Sequence, residues 1–501
     1  MSPFLLHDTT RKKAHITMYD IAIIGCGITG AATAYTLSRY NLSVVVLEKH
    51  NDIAMGATRA NSAIIHAGYD PEPGTLMARL NVRGCAMAEQ LCRDLDVPYK
   101  KVGSLVLAFS DEEMETVRLL YDRGIQNGVP DQKILSADEV HALEPEVSDQ
   151  VVGALYAPSA GIISPWEYAL AFAETAAKNG VTFRLNSPVT AIERKEGSYL
   201  LHTPSGDVEA RRVINAAGTS SDTVHEMVAP KTFTIHPNRG EYFLLDKCES
   251  VHAHHVLFQC PNKDGKGVLV SPTVHGNLIV GPNAESVSDE NATGNTAAGL
   301  AFVRQRAAIT TTAIRYANSI RNFAGVRANS DQPDFVIGLA APGFIDLAAI
   351  KSPGLSSAPA IAEEALELLK QDGLTLSEKK DAITTRKKIR FKELPESEKQ
   401  AVIRQDPLYG RVICRCETIT EGEIVAAIHS PIPPVSLDGV KRRAGSGMGR
   451  CQGGFCGPRV LEILCRERGL SPLEVLQDDT GSYILMSETK QEVRKEETEN
   501  V

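Results

Sequence analysis

The chain has 501 residues, 43% of them apolar, and a net charge of −9. That length accommodates about three domains with sizeable cores, and the acidic balance excludes a general nucleic-acid binder, which presents a basic face. No apolar run reaches the ~18–20 residues of a membrane span, and residues 1–17 lack the apolar centre of a secretory signal, so the chain is expected in the cytoplasm, peripheral to the membrane if associated with it at all, with 1–17 a disordered extension.

Residues 18–25 read as a buried strand, about 28–40 as a helix and 42–48 as a second strand, a β-α-β unit that implies a parallel sheet. Helices are expected over 75–95, 111–127 and 167–179, and strands at 103–108, 181–185, 188–194 and 213–217. The stretch 231–283 has the short alternating runs of an antiparallel sheet, at 241–245, 255–259, 267–271 and 277–281. A last strand at 343–349 leads to a helix over 357–370. Composition then turns polar over 371–408, which reads as a linker or a solvated helix. A compact cysteine-bearing segment spans about 409–480, and 481–501 is a charged tail.

Gly25-Cys26-Gly27-Ile28-Thr29-Gly30 lies between the first strand and the first helix. Gly25 permits a tight turn, Gly27 lets backbone approach a pyrophosphate, and Gly30 lets helix pack on strand, while the helix N-terminus offers N–H groups to the anion. Glu48 ends the second strand, placed to accept hydrogen bonds from a ribose hydroxyl. The alternative is a glycine turn that merely packs well.

Three further runs favour FAD over NAD: Thr58 to Gly68, Val213 to Gly218, and Ala349 to Ser356. They resemble the flavin loop, the strand beneath the FAD and the last strand-to-helix turn of the family of D-amino-acid oxidase and glycerol-3-phosphate dehydrogenase. The resemblance covers about 18–370. It implies a Rossmann-type α/β FAD-binding domain (about 18–85, 150–225 and 325–370) with an inserted antiparallel-sheet substrate domain (about 86–149 and 226–324). It also implies cofactor contacts from Gly25, Gly27, Ile28, Thr29, Gly30, Glu48, Lys49, Thr58, Asn61, Ser62, Val189, Gly218, Gly354, Leu355 and Ser356.

Of ten cysteines, four form two close pairs, Cys414/Cys416 and Cys451/Cys456, 34 residues apart. In a cytosolic chain clustered cysteines bind metal more often than they form disulfides. Two thiolate pairs suit zinc or a [2Fe–2S] cluster. Their surroundings, Ile413 to Glu417 and Gly447 to Gly457, resemble the [2Fe–2S] domain related to bacterioferritin-associated ferredoxin, which implies that all four are cluster ligands. Zinc, or an empty remnant of such a site, are the alternatives. Cys465 reads as a core thiol.

For a substrate, the resemblance implies four side chains. His66 corresponds to a histidine beside the substrate in glycerol-3-phosphate dehydrogenases, where neutral imidazole takes a hydroxyl proton; a structural histidine or a covalent flavin link are its other readings. Arg327, in Phe323-Ala324-Gly325-Val326-Arg327, matches an arginine that grips an anionic group, and a guanidinium suits carboxylate or phosphate. Arg239, in Asn238 to Phe243, resembles a motif of the L-2-hydroxyglutarate dehydrogenase branch. Lys351 matches a lysine near the flavin and a substrate phosphate, or is a helix-flanking charge. His252, His254 and His255 read as a solvated loop.

These readings together describe an FAD-dependent dehydrogenase of glycerol-3-phosphate type, with electrons leaving through a [2Fe–2S] centre to an electron-accepting protein or a partner flavoprotein or iron–sulfur subunit. A 2-hydroxyacid dehydrogenase, a secondary-amine dehydrogenase acting on opines or hydroxyproline, and an electron-transfer subunit without its own substrate are the competing expectations.

Overall fold

The computed structural model describes residues 18–261 and 267–489. The expected extension over 1–17 and the end of the charged tail lie outside the described residues. The first strand, Met18–Ile24, sits in the parallel part of a mixed sheet, to which Ala191–Lys195, Ser198–His202 and Val336–Ala341 add antiparallel pairs. Across the sheet the parallel order is Phe344–Ala348, Val208–Asn215, Met18–Ile24, Val44–Leu47 and Thr182–Arg184. The runs 21–24 and Val44–Leu47 are apolar and buried because both faces are covered there, whereas Val208–Asn215 and Thr182–Arg184 also carry exposed polar residues, Arg211 and Thr182. The helix Ile28–Leu37 is buried along its whole length. Its Gly-, Ala- and Thr-rich sequence lets it lie between the helices Pro165–Lys178 and Gly354–Gln371. The last helix begins at Gly354, three residues earlier than its apolar periodicity indicates.

Among the described residues the second sheet has nine strands. Its spine is an antiparallel pair, Ile235–Leu245 against Ser319–Ser330, in register from Ile235 opposite Ser330 and carrying Asn238 opposite Arg327. The strand Ser319–Ser330 has no clear period-2 apolar pattern, which is why sequence reading missed it. The strand Val256–Gln259 joins Ser104–Ala108 in parallel, so this sheet is not purely antiparallel as expected.

Residues 371–408 combine a stretch held against the first domain with a solvated helix that buries no side chain. They run as a strap along the first domain, tied to it by Tyr35 donating to the Thr384 carbonyl, Asn179 to that of Ile383, and Arg390 to the Asp96 carboxylate. The strap carries a helix at Glu396–Gln405 and leads to a small C-terminal module with helices Glu421–Ile428, Leu437–Ala444 and Gly457–Arg468 around their own core. A capping box between Thr420 and Glu423 starts the first of these helices.

The module is not tethered loosely. Its Ile432 joins the core cluster of the first domain, and buried Asp52 accepts hydrogen bonds from both Arg442 and Arg443. Burial pushes the Asp52 carboxyl up, but Arg443 and Arg442 outweigh it and hold it at about 2. Glu167, buried beside strap residues Lys388 and Arg390, is likewise brought to about 2 against the effect of burial. Depressed carboxyls contribute stability that is full above their unfolded values, roughly 4, and is lost as pH falls towards the folded value. Acidification from about pH 4.5 to about 2 is therefore expected to undock strap and module before the parallel sheet melts. Limited proteolysis within 371–408 against pH checks it, with cleavage rising below about pH 4.

Candidate active site and cysteine module

The glycine turn is built as its spacing demands. Gly25 has φ +96°, and a Cβ there would stand 2.5 Å from the Ala216 carbonyl oxygen. A Cβ on Gly30 would stand 2.1 Å from the Gly25 carbonyl oxygen, so Gly30 serves helix-to-turn packing and does not itself face the cavity beyond. The Glu48 carboxylate accepts the Cys26 N–H at 2.7 Å and the His50 N–H at 3.0 Å, fixing it at the end of its strand. Burial raises the Glu48 carboxyl, opposed by the His50 and Cys26 N–H groups. Thr58 Oγ1 accepts from the Ile28 N–H at 2.9 Å, drawing the loop after Glu48 onto the helix N-terminus.

A cavity of about 1380 Å³ opens from this turn. Gly25, Gly27, Ile28, Thr29, Glu48, Lys49, Thr58, Asn61, Ser62, Val189, Gly218, Gly354 and Leu355 all line it. Asn61 is spent on its own loop, donating to the Ala57 and Thr58 carbonyls and accepting from the Ala63 N–H. Lys49 pairs with Glu290 at 3.0 Å. Ser356 is a correction: it does not line the cavity but is buried, its Oγ accepting the His66 N–H at 2.7 Å. It positions the backbone of His66.

Three of the four proposed substrate residues line this cavity: His66, Arg327 and Lys351. The His66 ring stacks on Phe258, with centroids 5.5 Å apart. Asn238 Oδ1 accepts from Arg327 at 2.9 Å, and Tyr242 Oη accepts from its other terminal nitrogen at 3.4 Å. Gly240 makes room for this guanidinium, since a Cβ there would meet it at 2.2 Å. Lys351 Nζ donates to the Gln332 carbonyl at 3.1 Å. Arg239 is not brought to the site. Neighbours along a strand point to opposite faces, so Asn238, Gly240 and Tyr242 face the cavity while Arg239 is turned towards Glu285, at 2.6 Å, and Glu241. Tyr242 is a buried aromatic stacked on Phe323, and its hydroxyl reaches both Ser62 and Arg327. His252 and His255 contact the carboxylates of Glu146, Glu249 and Glu144, while His254, beside Glu144, is exposed to solvent.

In the module, Cys416 and Cys451 bring their sulfurs to 3.6 Å at the surface. Cys414 and Cys456 form a second, buried, hydrogen-bonded pair. The Cys456 thiol donates to Cys414, which with the N–H groups of Gly447 and Glu417 brings Cys414 to about 6, while Cys456 moves up. The N–H groups of Phe455 and Gly453 lower Cys451. Among the described residues no three His, Cys, Asp or Glu side chains gather as a single-metal site requires. Two thiol pairs supported by backbone N–H groups are what a two-iron cluster needs, one pair for each iron. Glu417, next to Cys416, and Gln452, next to Cys451, line the same cavity as the glycine turn.

Residues 20–368 match the family described as FAD dependent oxidoreductase. The chain belongs to this family. Residues 412–466 of the oxidoreductase match the BFD-like [2Fe-2S] binding domain. It is 49% identical to a glycerol 3-phosphate dehydrogenase of Caloramator mitchellensis over 480 residues, 95% of this chain and all of the other. Its fold is similar to L-α-glycerophosphate oxidase from Mycoplasma pneumoniae, solved dithionite-reduced with FAD bound (TM-score 0.71, 33% identity, 74% of this chain and 98% of the other). It is 31% identical to human mitochondrial L-2-hydroxyglutarate dehydrogenase over 54% of this chain and 62% of that protein.

FAD fits the oxidoreductase where the two glycines leave no room for a side chain beside a cavity of dinucleotide size. Replacing Gly30 by Ala therefore acts on the cofactor site first. Overpacking of this kind costs about 1–3 kcal/mol, which, expressed in FAD binding, is roughly five- to 150-fold. The flavin-to-protein ratio of purified Gly30→Ala, read from its visible spectrum, is the check.

Proposed function

We propose that this oxidoreductase oxidises the secondary alcohol of sn-glycerol 3-phosphate to dihydroxyacetone phosphate. The observation that carries the reading is the meeting of His66, Arg327 and Lys351 in the cavity that begins at the glycine turn. An imidazole and two cations are the set that an alcohol carrying a phosphate calls for. The similarity to glycerol 3-phosphate dehydrogenase along the whole of that protein supports it; the similarity to L-2-hydroxyglutarate dehydrogenase covers less than two thirds of its relative, and Arg239, which suggested that branch, faces away from the cavity.

FAD, when bound, supplies the hydride acceptor. Arg327 holds the phosphate through its guanidinium, oriented by Asn238 and Tyr242. Lys351 adds a second positive charge, kept in place by the Gln332 carbonyl. His66 takes the hydroxyl proton as the alcohol becomes a ketone, its backbone fixed by Ser356 and Asn81. The [2Fe–2S] cluster would be held by Cys414, Cys416, Cys451 and Cys456 and supplies one-electron transfer, which suits delivery to a separate electron-accepting protein. No helix among the described residues is long and apolar enough to cross a membrane, and we place the enzyme in the cytoplasm. Product analysis tests the reading: dihydroxyacetone phosphate should form in proportion to acceptor reduced. Equal or faster turnover of L-2-hydroxyglutarate or a secondary amine would overturn it.

A further inference from the structure

The cysteine module does more than lie beside the flavin domain; it reaches the cavity at the end marked by Glu48. His50, two residues after Glu48, contacts Asp479 through its ring. Asn51 Nδ2 donates to the Asp478 carbonyl at 2.8 Å, and Arg59, in the flavin loop, pairs with the Asp478 carboxylate. Both aspartates line the cavity together with Arg442. Arg442 then joins two anchors, donating to Asp478 at 2.7 Å and to Asp52 at 2.9 Å. Gly439 allows this approach, because a Cβ there would already stand 3.2 Å from the Asp52 carboxylate. The Asp52 pairs are buried on both sides, whereas those of Asp478 and Asp479 are partly open to solvent.

We propose that the C-terminal module forms one wall of the FAD site, with Asp478 and Asp479 as its cofactor-retaining residues and the Asp52–Arg442–Asp478 chain as the latch that holds the wall shut. FAD is then lodged between two domains. Its escape requires the module to lift from His50, Asn51 and Arg59. A module that is out of place therefore also loosens the flavin, whether or not its cluster is bound. The inference rests on FAD binding and not on the identity of the substrate.

The test uses the full-length holoenzyme and reads the rise of free-flavin fluorescence after dilution, with the visible circular dichroism of the cluster as a check on the module's fold. Removing one partner of a hydrogen-bonded charge pair across a contact between domains acts mainly on the rate of release. Asp478→Ala is expected to release FAD roughly tenfold faster or more, together with faster proteolytic cleavage of the 371–408 strap. Asp479→Ala, a milder change at a partly exposed side chain, should shift release in the same direction and carries the test if Asp478→Ala does not fold. Release at the wild-type rate in the folded variants overturns the proposal. So does faster release from a variant whose strap is as resistant as in the wild type, since the wall would then not have moved.

Discussion

Arg327→Ala should raise the KM for sn-glycerol 3-phosphate steeply while leaving the flavin content unchanged. Arg327 lines the cavity, its guanidinium held by Asn238 and Tyr242 in the space that Gly240 leaves free. A hydrogen bond to a charged group contributes about 1.5–3 kcal/mol, and each 1.36 kcal/mol is tenfold in rate. The loss in kcat/KM is then roughly tenfold to 150-fold. Arg327→Lys should recover only part of it, because an ammonium keeps the charge but not the two-pronged geometry. Steady-state kinetics with both variants checks this. If the two variants behave alike and KM stays near the wild-type value, Arg327 does not hold the phosphate.

Cys416→Ser should separate the two halves of the reaction. Cys416 is exposed, so the change leaves the module's core intact, unlike changes at the buried Cys414 and Cys456. The variant is expected to lose the cluster's visible absorption and to fall to background in reducing a one-electron acceptor. Bleaching of the flavin by substrate should proceed as in the wild type, since His66, Arg327 and Lys351 stand on the other domains. Rapid mixing with substrate, then with an external one-electron acceptor, reads both halves. Transfer at the wild-type rate in a protein without cluster absorption would remove the cluster from the electron path.

Much of this was legible in the residues because local chemistry dictated it. The Gly25–Gly30 turn, Glu48 and the last strand-to-helix turn each require particular residue types at fixed spacing, and the two central strands, Met18–Ile24 and Val44–Leu47, end in apolar runs because both faces are covered there. The cysteine pairs were equally readable, since few other patterns place four thiols so. What could not be read depended on distant contacts. Arg239 and Arg327 look alike in sequence, and only the pairing of Asn238 with Arg327 decides that one faces the cavity and the other faces Glu285. The strap over 371–408 is polar because its lysines and arginines meet Glu167, Asp96 and Glu174, partners some 200 to 300 residues away in the chain. Composition alone gave the same signal as a free linker. The part of the module in the FAD site was hidden for the same reason: Asp478 and Asp479 carry no motif, and their meaning lies in His50, Arg59 and Arg442.

The most direct measurement of the central claim is anaerobic stopped-flow bleaching of the flavin, with sn-glycerol 3-phosphate and L-2-hydroxyglutarate compared at equal concentration. Rapid, complete loss of the oxidised flavin spectrum with sn-glycerol 3-phosphate, and little with the hydroxyacid, is the expected result. A flavin that stays oxidised with sn-glycerol 3-phosphate while the hydroxyacid reduces it would contradict the account.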